Sequence, residues 1–321
     1  MLSTHILSFL GGVCFGLLCI LWTETAEQAA RQLVARAAYG SLAMLASKHS
    51  KATTPVPKST ATSRNTSESI LQWGHPGPIS DDLLRDEYMA NFNRRDRLPN
   101  WVAEHLDIFS LTAGEGVDRS RSAFAADPDI PTMFRAQLKD YIASGFDRGH
   151  QAPAADAVYT QEAMDQTFYL TNMAPQVGIG FNRHCKCSFN WAYVEEFVRD
   201  LVGPYTDVWV WTGPLFLPQK GVDNKFYMKY QVLGNPPSIA VPTHFYKVVL
   251  AQMNMTDTTY STAAFLLPNQ AIPIATHLTQ FKVAKELIER ASGLTFLTEK
   301  VTKMVRDLCT EVVCDIKPGR P

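Results

Sequence analysis

A run of Ser, Thr, Pro and Lys residues divides this chain and limits the length that is available for folding. From Lys51 to about Ser69 the sequence reads KATTPVPKSTATSRNTSES, without an apolar period. A segment of this composition buries too little apolar surface to fold alone, so the run predicts a flexible tether. We assign the globular domain to residues 70–321, a length that suits one large core or two modest domains.

The segment ahead of the tether begins with an apolar stretch. Ile6 to Trp22 contains no charged side chain. As a helix it would be about 25 Å long at ~1.5 Å per residue, against a hydrocarbon core of ~30 Å. Residues 1–25 are therefore predicted to be a membrane anchor or targeting segment, with membrane contact through residues 6–22. Residues 26–69 are predicted to be helical and then flexible.

The residues after the apolar stretch indicate where the protein resides. The residues that follow the apolar stretch are rich in Ala, poor in acids and include Arg31 and Arg36, as in a mitochondrial transit peptide. A cleaved secretory signal is the alternative, although the chain has no Lys or Arg ahead of the apolar run, only the amino terminus and His5. The positive-inside tendency would place the Arg31 and Arg36 side in the matrix.

Charge and cysteine usage exclude some classes of protein. The formal net charge is −1, so a nucleic-acid partner would need a local basic patch. The six cysteines form no Cys-x-x-Cys pair, which argues against a structural zinc site. Cys309 and Cys314 could flank a turn, and an oxidising compartment would favour a disulfide. Two separate buried thiols are the alternative.

Segments with strand and helix patterns alternate irregularly along the domain. One predicted strand begins at Trp101. The other predicted strands cover Thr167–Asn172, Val208–Trp211, Ser238–Ala251 and Thr262–Leu267. The predicted helices cover Phe134–Tyr141 and Trp191–Leu201. This order predicts an α/β or α+β fold with a central, mainly antiparallel sheet and flanking helices, and periodicity alone does not choose between the two classes.

One stretch of about 50 residues collects the side chains that phosphodiester hydrolysis requires. His150 follows Arg148 in SGFDRGH, two amides lie at Asn172 and Asn182, and a helix supplies Glu195. A neutral imidazole can activate water, and a guanidinium can hold the phosphate. An amide oxygen can bind a hard ion such as Mg²⁺, which keeps most of its waters. Taken alone, an Asp-x-Gly-His sequence would be an ordinary turn.

The order of the motifs around these residues resembles a known family. DRGHQAPAAD, DQTFYLTNMAPQ, GFNR and then W-x-x-x-E are similar to the non-specific DNA/RNA endonucleases, and within them to the mitochondrial endonuclease G branch. Matches such as WTGPLFLP, IAVPTHFYKVV and ASGLTF extend the resemblance over roughly Trp73 to Ile316. It implies a ββα-metal active-site motif, cleavage of DNA and RNA with Mg²⁺ or Mn²⁺, a homodimer, and the mitochondrial inner membrane or intermembrane space.

The resemblance also implies a role for each matching residue. His150 matches the general base and Arg148 the Arg that binds the scissile phosphate. Asn182 matches the metal ligand, and Asn172 an amide that positions the base or the substrate. Glu195 matches an acid that holds water on the metal.

Some of these assignments compete with structural interpretations. Asn172 could cap the end of a strand, and Glu195 could lie on a solvated helix face. Arg119 is a candidate for a second phosphate contact, but Arg121 competes with it and a structural role for Arg119 is favoured.

An insertion separates this chain from the family pattern. The family keeps the ligand Asn four residues before the Trp, whereas Asn182 and Trp191 are nine apart, with HCKCSFN between them. Five extra residues make about 1.4 turns at ~3.6 residues per turn, so a continuous helix would rotate Asn182 away from the site. The extra residues must therefore loop out if the site is intact. Asn190 is the alternative ligand, and a soft-metal site at His184, Cys185 and Cys187 is a further alternative.

Three functions are compatible with these observations. The leading one is an active endonuclease. The second is a catalytically weak, membrane-tethered interaction or nucleic-acid-binding module whose metal ligand is displaced by the insertion at 184–190. The third is a secreted digestive nuclease, which would require cleavage near Trp22.

Overall fold

The computed structural model describes residues 76–183, 188–189, 191–254, 258–302 and 304–316. The predicted anchor and tether lie outside these residues, and the domain limits of 70–321 stay a prediction. Within the described part of the chain, no helix combines the length and the apolar character needed to cross a membrane.

The bounds of the regular elements are as follows. The strands are β1 (Ser80–Leu84), β2 (Tyr88–Asn93), β3 (Leu98–Leu106), β4 (Phe146–His150), β5 (Met173–Val177), β6 (Ser188–Phe189), β7 (Asp207–Leu215), β8 (Gln219–Lys220), β9 (Phe226–Tyr227), β10 (Val232–Leu233), β11 (Ile239–Ala240), β12 (His244–Gln252), β13 (Tyr260–Pro268), β14 (Ile272–Pro273), β15 (Lys282–Val283) and β16 (Val305–Asp307). The α-helices are α1 (Leu138–Tyr141), α2 (Gln161–Gln166), α3 (Trp191–Arg199), α4 (Lys285–Ser292), α5 (Glu299–Thr302) and α6 (Leu308–Glu311). Short 3₁₀ helices cover Arg119–Arg121, Thr132–Phe134, Leu170–Asn172 and Leu278–Phe281.

The main sheet has the strand order β1-β2-β3-β7-β12-β13-β15, and every neighbouring pair in this order is antiparallel. β16 adds to the outer edge of β13 and is parallel to it. The predicted α/β architecture around a mainly antiparallel sheet is confirmed.

The central strand β12 is buried on both faces because its sequence, HFYKVVLAQ, is apolar at successive positions. Phe245 and Val249 point to one side and join the larger core, which also contains α3. Tyr246 and Val248 point to the other side and pack with Ile288 of α4. This two-residue alternation places one amphipathic helix on each face of the sheet.

The hairpin-like ribbon of β4 and β5 lies outside the main sheet and packs beside α3. β4 and β5 pair in antiparallel register. Met173 and Ala174 of β5 belong to the same apolar cluster as Val194 of α3. Two strands and one helix therefore meet as the expected ββα unit.

The predicted end of strand Val208–Trp211 at Gly213-Pro214 is wrong, because β7 runs through both residues to Leu215. A Cβ on residue 213 would lie 2.5 Å from the Tyr246 hydroxyl, so this glycine serves close packing and not a turn. Pro214 lies beyond the last pair of β7 with β3, where its missing N–H leaves no gap in that ladder.

Three other predicted elements differ from the structure. Thr167–Asn172 is no strand: α2 ends at Gln166, a 3₁₀ helix covers Leu170–Asn172, and β5 begins at Met173. The helix predicted over Phe134–Tyr141 is reduced to α1, because the backbone is extended at Arg135 and at Gln137. The strand predicted over Ser238–Ala251 is split into β11 and β12 around Pro242.

Cys309 and Cys314 form a disulfide, with their Cα atoms 5.1 Å apart. The prediction that they lie within bridging distance is confirmed. The pair flanks the end of α6, where the chain turns towards Asp315. The Asp315 carboxylate accepts from the backbone N–H of Leu278 at 3.2 Å.

Replacing Phe245 by Ala tests the role of the core between β12 and α3. The side chain is 0% exposed. Its loss is expected to lower the free energy of unfolding by about 3–5 kcal/mol, through lost burial and the cavity left behind. Denaturant titration measures the change, and Phe109→Ala, at a residue 77% exposed, is the control. Equal effects of the two variants would contradict this description of the core.

Candidate active site

The ribbon of β4 and β5 carries two of the predicted site residues. Arg148 and His150 are two positions apart in β4, so their side chains project to the same side of the ribbon. Gly149 between them is required by close packing, because a Cβ there would lie 2.1 Å from Cδ of Gln176 on β5. A glycine at position 149 therefore allows β4 and β5 to pair while Arg148 and His150 lie on the same side of the ribbon.

The structure brings five of the six predicted site residues to one cavity of about 810 Å³. Its lining includes Arg119, Arg148, His150, Asn182 and Glu195. These residues come from a 3₁₀ turn, β4, the loop after β5 and α3. Asn172 is the predicted residue that does not line the cavity.

His150 lies between two phenylalanine rings. The centre of its imidazole is 5.6 Å from that of Phe124 and 4.8 Å from that of Phe168, which it meets edge-on. Nε2 is buried and has no hydrogen-bond partner among the described residues. Burial, together with the positive charge of Arg119, lowers the pKa of His150 to about 3. The imidazole is therefore neutral near pH 7 and can accept a proton.

Arg148 and Arg119 lie on the faces of the same two phenylalanines. Cζ of Arg148 is 4.3 Å from the centre of the Phe124 ring, and Cζ of Arg119 is 5.4 Å from that of Phe168. No carboxylate among the described residues forms an ion pair with either guanidinium. Aromatic stacking holds the two cations without neutralising them, so their N–H donors stay available.

Arg119 and Arg121 differ in their position relative to the cavity. Arg119 lines the cavity, whereas Arg121 is not part of the lining and donates to the carbonyl of Gly116 at 3.0 Å. The phosphate contact of Arg119 stays a prediction.

The insertion leaves Asn182 at the cavity. α3 begins only at Trp191, whose N–H donates to the carbonyl of Phe181 at 2.7 Å. The residues on either side of the 182–190 segment, Phe181 and Trp191, are therefore joined by one hydrogen bond, and the predicted bulge stays a prediction. Asn190 and the cysteine pair at 185 and 187 lie outside the described residues.

The Asn182 amide is held from one side. Its Nδ2 donates to Oδ2 of Asp147 at 3.0 Å. Its Oδ1 has no hydrogen bond from any described residue. The Asp147 carboxylate also accepts from Arg183, and this pairing with Arg183 lowers the pKa of Asp147.

Glu195 faces the cavity from α3 and is not a freely solvated acid. Burial raises its pKa to about 7, and the charge of Asp156 adds to the rise, while Lys247 and Arg199 oppose it. The Arg199 side chain also lines the cavity and donates to the Asp156 carboxylate at 2.7 Å. The sequence analysis missed Arg199, although its position four residues after Glu195 puts both on one helix face.

A second buried acid lies behind the cavity. Both carboxylate oxygens of Glu104 on β3 are buried without a hydrogen-bond partner among the described residues. Burial raises the pKa of Glu104 well above its usual range, and Asp156 contributes to the rise. Lys247, also buried, donates to Oγ1 of Thr212 at 2.7 Å. These buried groups interact electrostatically with Glu195 of α3.

Asn172 fixes the backbone that follows His150. Its Oδ1 accepts from the N–H of Ala152 at 2.9 Å, and its Nδ2 donates to the carbonyls of Ala152 and Thr167 at 2.9 and 2.8 Å. The side chain is fully buried. With the amide engaged in this way, the structure places Asn172 where it can position the base and not where it can touch a substrate.

The donor set of the cavity suits a hard cation. Among the described residues, no three His, Cys, Asp or Glu side chains gather into a metal cluster. The lining of the cavity instead includes the Asn182 amide and the Glu195 carboxyl group. Oxygen ligands that are few in number fit Mg²⁺ or Mn²⁺, which keep bound waters, better than zinc.

Comparison with known proteins gives consistent matches over the described domain. The DNA/RNA non-specific endonuclease family model matches residues 66–303. "Nuclease C1" of Cunninghamella echinulata var. echinulata is 55% identical over 251 residues, which cover 78% of this chain and 96% of that protein. "Mitochondrial nuclease" of Saccharomyces cerevisiae is 48% identical over 251 residues, 77% of this chain and 74% of that protein.

A solved structure also matches, described as the complex of EndoG with EndoGI. The TM-score is 0.66 and the sequence identity is 41%, over 74% of this chain and 94% of that chain. The resemblance to the endonuclease G branch is confirmed by these matches. The predicted mitochondrial location is confirmed by the relatives with mitochondrial names, and the inner-membrane or intermembrane-space placement stays a prediction.

Replacing Asn172 by Ala distinguishes a positioning role from a chemical one. The change leaves buried backbone groups of Ala152 and Thr167 without partners, so we expect a loss of at least ~2 kcal/mol in the free energy of unfolding. Denaturant titration measures stability, and cleavage is measured at a temperature where the variant is folded. A variant of wild-type stability that no longer cleaves would instead place Asn172 in the chemistry.

Proposed function

The chain belongs to the DNA/RNA non-specific endonuclease family, and we propose that it is an active enzyme that hydrolyses phosphodiester bonds of DNA and RNA with Mg²⁺ or Mn²⁺. One observation carries this proposal. A single cavity holds a neutral imidazole, two guanidinium groups, an amide oxygen and a carboxylate, and among the described residues the guanidinium groups have no ion-pair partner and the amide oxygen has no donor. These are the groups needed to activate water, to bind phosphate and to hold a divalent cation.

His150 acts as the general base in this proposal. Its depressed pKa, caused mainly by burial, keeps it unprotonated throughout the physiological range. A neutral imidazole can take the proton of the attacking water at its unprotonated nitrogen. The rings of Phe124 and Phe168 restrict the imidazole plane, so the base is oriented before substrate arrives.

Arg148 and Arg119 bind the phosphate. Since aromatic rings hold them, each can direct its N–H groups to phosphate oxygens without first breaking a salt bridge. These contacts involve only the backbone of the nucleic acid. They therefore favour substrate binding without sequence preference, and they account for polyanion binding by a chain of net charge −1.

The cation is assigned to Oδ1 of Asn182, with the Glu195 carboxylate holding water beside it. A divalent ion in this place would supply charge stabilisation for the oxygen that leaves. Asn182 contributes a neutral ligand. Glu195 contributes a hydrogen-bond acceptor, and the positive charges of Lys247 and Arg199 favour its ionised form.

The alternative of a catalytically weak module depended on displacement of Asn182 by the insertion. Asn182 lines the same cavity as His150, so the observation that would have favoured this alternative is missing. Homodimer formation, the membrane contact through residues 6–22 and the secreted alternative remain predictions from sequence.

Replacing His150 by Ala is expected to lower the rate of plasmid cleavage by about 10²–10⁴-fold, because a positioned base is lost. The measurement compares kcat and DNA affinity of the full chain. DNA affinity is expected to stay near that of the wild type, since Arg148 and Arg119 are unchanged.

The matched control for this loss is His277→Ala. His277 lies outside the cavity and pairs with Asp315 at 2.6 Å. Near-normal turnover by the His150 variant, or an equal loss in the control, would refute the assignment of the base.

Chelation and salt separate the cation from the phosphate contacts. Excess EDTA is expected to abolish cleavage, and Mg²⁺ or Mn²⁺ to restore it. DNA binding measured by fluorescence anisotropy in EDTA should persist but fall steeply between about 50 and 200 mM salt, because phosphate contacts release counterions. Cleavage in excess EDTA would refute the cation assignment. Binding that is indifferent to salt would refute the guanidinium assignment.

A further inference from the structure

Asp147 has no place in the predicted catalytic set, yet its carboxylate accepts three hydrogen bonds at the cavity wall. Oδ2 accepts from Nδ2 of Asn182 at 3.0 Å and from Nε of Arg183 at 2.8 Å. Oδ1 accepts from Nη2 of Arg183 at 2.6 Å. The carboxylate is thus engaged by two consecutive residues of the loop that follows β5.

We propose that Asp147 is a positioning residue that fixes the sense of the Asn182 amide, with Nδ2 turned to Asp147 and Oδ1 left for a divalent cation. The inference rests on the proposed function, which makes Asn182 the metal ligand. It adds a requirement that the ligand alone does not explain, since an amide must present the correct one of its two ends.

An asparagine side chain has no intrinsic preference for which end of its amide, oxygen or nitrogen, faces the cation. Its oxygen and nitrogen are close in size, and its last torsion is broad and roughly two-fold. The NH₂ end has only donors, which a cation repels. An ionised carboxylate has only acceptors, so the bond to Asp147 forms in one of the two orientations and excludes the other.

Arg183 completes the arrangement from the opposite side. Its guanidinium forks across both Asp147 oxygens, which balances the carboxylate charge and makes Asp147 a poor ligand for the cation itself. The backbone supports this geometry. The N–H of Asn182 donates to the carbonyl of Val177 at 2.9 Å, and that of Arg183 to the carbonyl of Gly178 at 2.8 Å.

A simpler role for Asp147 would be an ion pair that pins the loop to β4. The two roles differ in which partner of Asp147 matters for metal affinity. If the ion pair were the function, loss of Arg183 would be as harmful as loss of Asp147. If the amide bond is the function, Arg183 matters much less.

The experiment measures Mn²⁺ binding by calorimetry on the full chain without nucleic acid, with a melting curve for each variant. Asp147→Leu keeps the approximate shape of the side chain and removes every acceptor. We expect its Mn²⁺ dissociation constant to rise by about 10–100-fold, as when an outer partner of a metal ligand is lost. Arg183→Gln, which spares the bond to Asn182, is expected to stay near the wild-type value.

A reciprocal exchange guards against simple misfolding. In the double variant Asp147→Asn with Asn182→Asp, an amide again faces a carboxylate across the same gap, and the carboxylate retains one oxygen for the cation. We expect this exchange to recover most of the Mn²⁺ affinity that Asp147→Leu loses.

Three outcomes would overturn the proposal: unchanged affinity in Asp147→Leu, an equal loss in Arg183→Gln, or no recovery in a folded exchange variant. Failure of the proposed function is recognised separately, because Asn182→Ala would then leave Mn²⁺ binding intact. If Asn182→Ala abolishes binding and Asp147→Leu does not change it, the metal ligand is correct and only the positioning role fails.

Discussion

Trp191 fixes the position of α3 relative to the other residues of the candidate active site. Its backbone N–H bonds to Phe181, its indole packs 5.7 Å from the ring of Phe245 on the central strand, and the Lys247 ammonium lies 5.3 Å from its ring centre. The first residue of α3 is thereby fixed both to the sheet and to Phe181, the residue that precedes Asn182. Because Glu195 follows one turn later, its position relative to Asn182 is set by this anchorage and not by the residues between them.

The four arginines that line the cavity fall into two groups, according to the side chains that contact them. Arg199 and Arg183 are each paired with a carboxylate, whereas Arg148 and Arg119 rest on aromatic rings. A paired arginine mainly orients its neighbours, while a stacked arginine keeps its charge for an incoming phosphate. In the proposed function, arginine therefore serves both to hold the scaffold and to bind phosphate, depending on whether a carboxylate or an aromatic ring contacts it.

The sequence predicted the sheet class, α3 and five cavity residues, because these depend on apolar periodicity and on long ordered motifs. It failed where tertiary contacts override local pattern. Gly213-Pro214 is a turn signal in isolation, but the approach of Tyr246 makes glycine necessary inside a strand. The motif predicted that Asn172 positions the base or the substrate, but its bonds to the backbone of Ala152 depend on tertiary contacts that no local pattern reveals. Stacking of Arg119 on Phe168 could not be foreseen from their separation in the chain.

The hydrogen bond from the N–H of Trp191 to the carbonyl of Phe181 has a consequence for how this protein can vary. It holds the two ends of residues 182–190 together, so a change in the number of residues between them alters the closure entropy, which grows with the logarithm of that number. Going from about four to about nine residues costs only about 0.7 kcal/mol on that scale. Ser188 and Phe189 also pair with Pro273 and Ile272, so an insertion that keeps this pairing can be accommodated at little thermodynamic cost while Phe181 and Trp191 stay together.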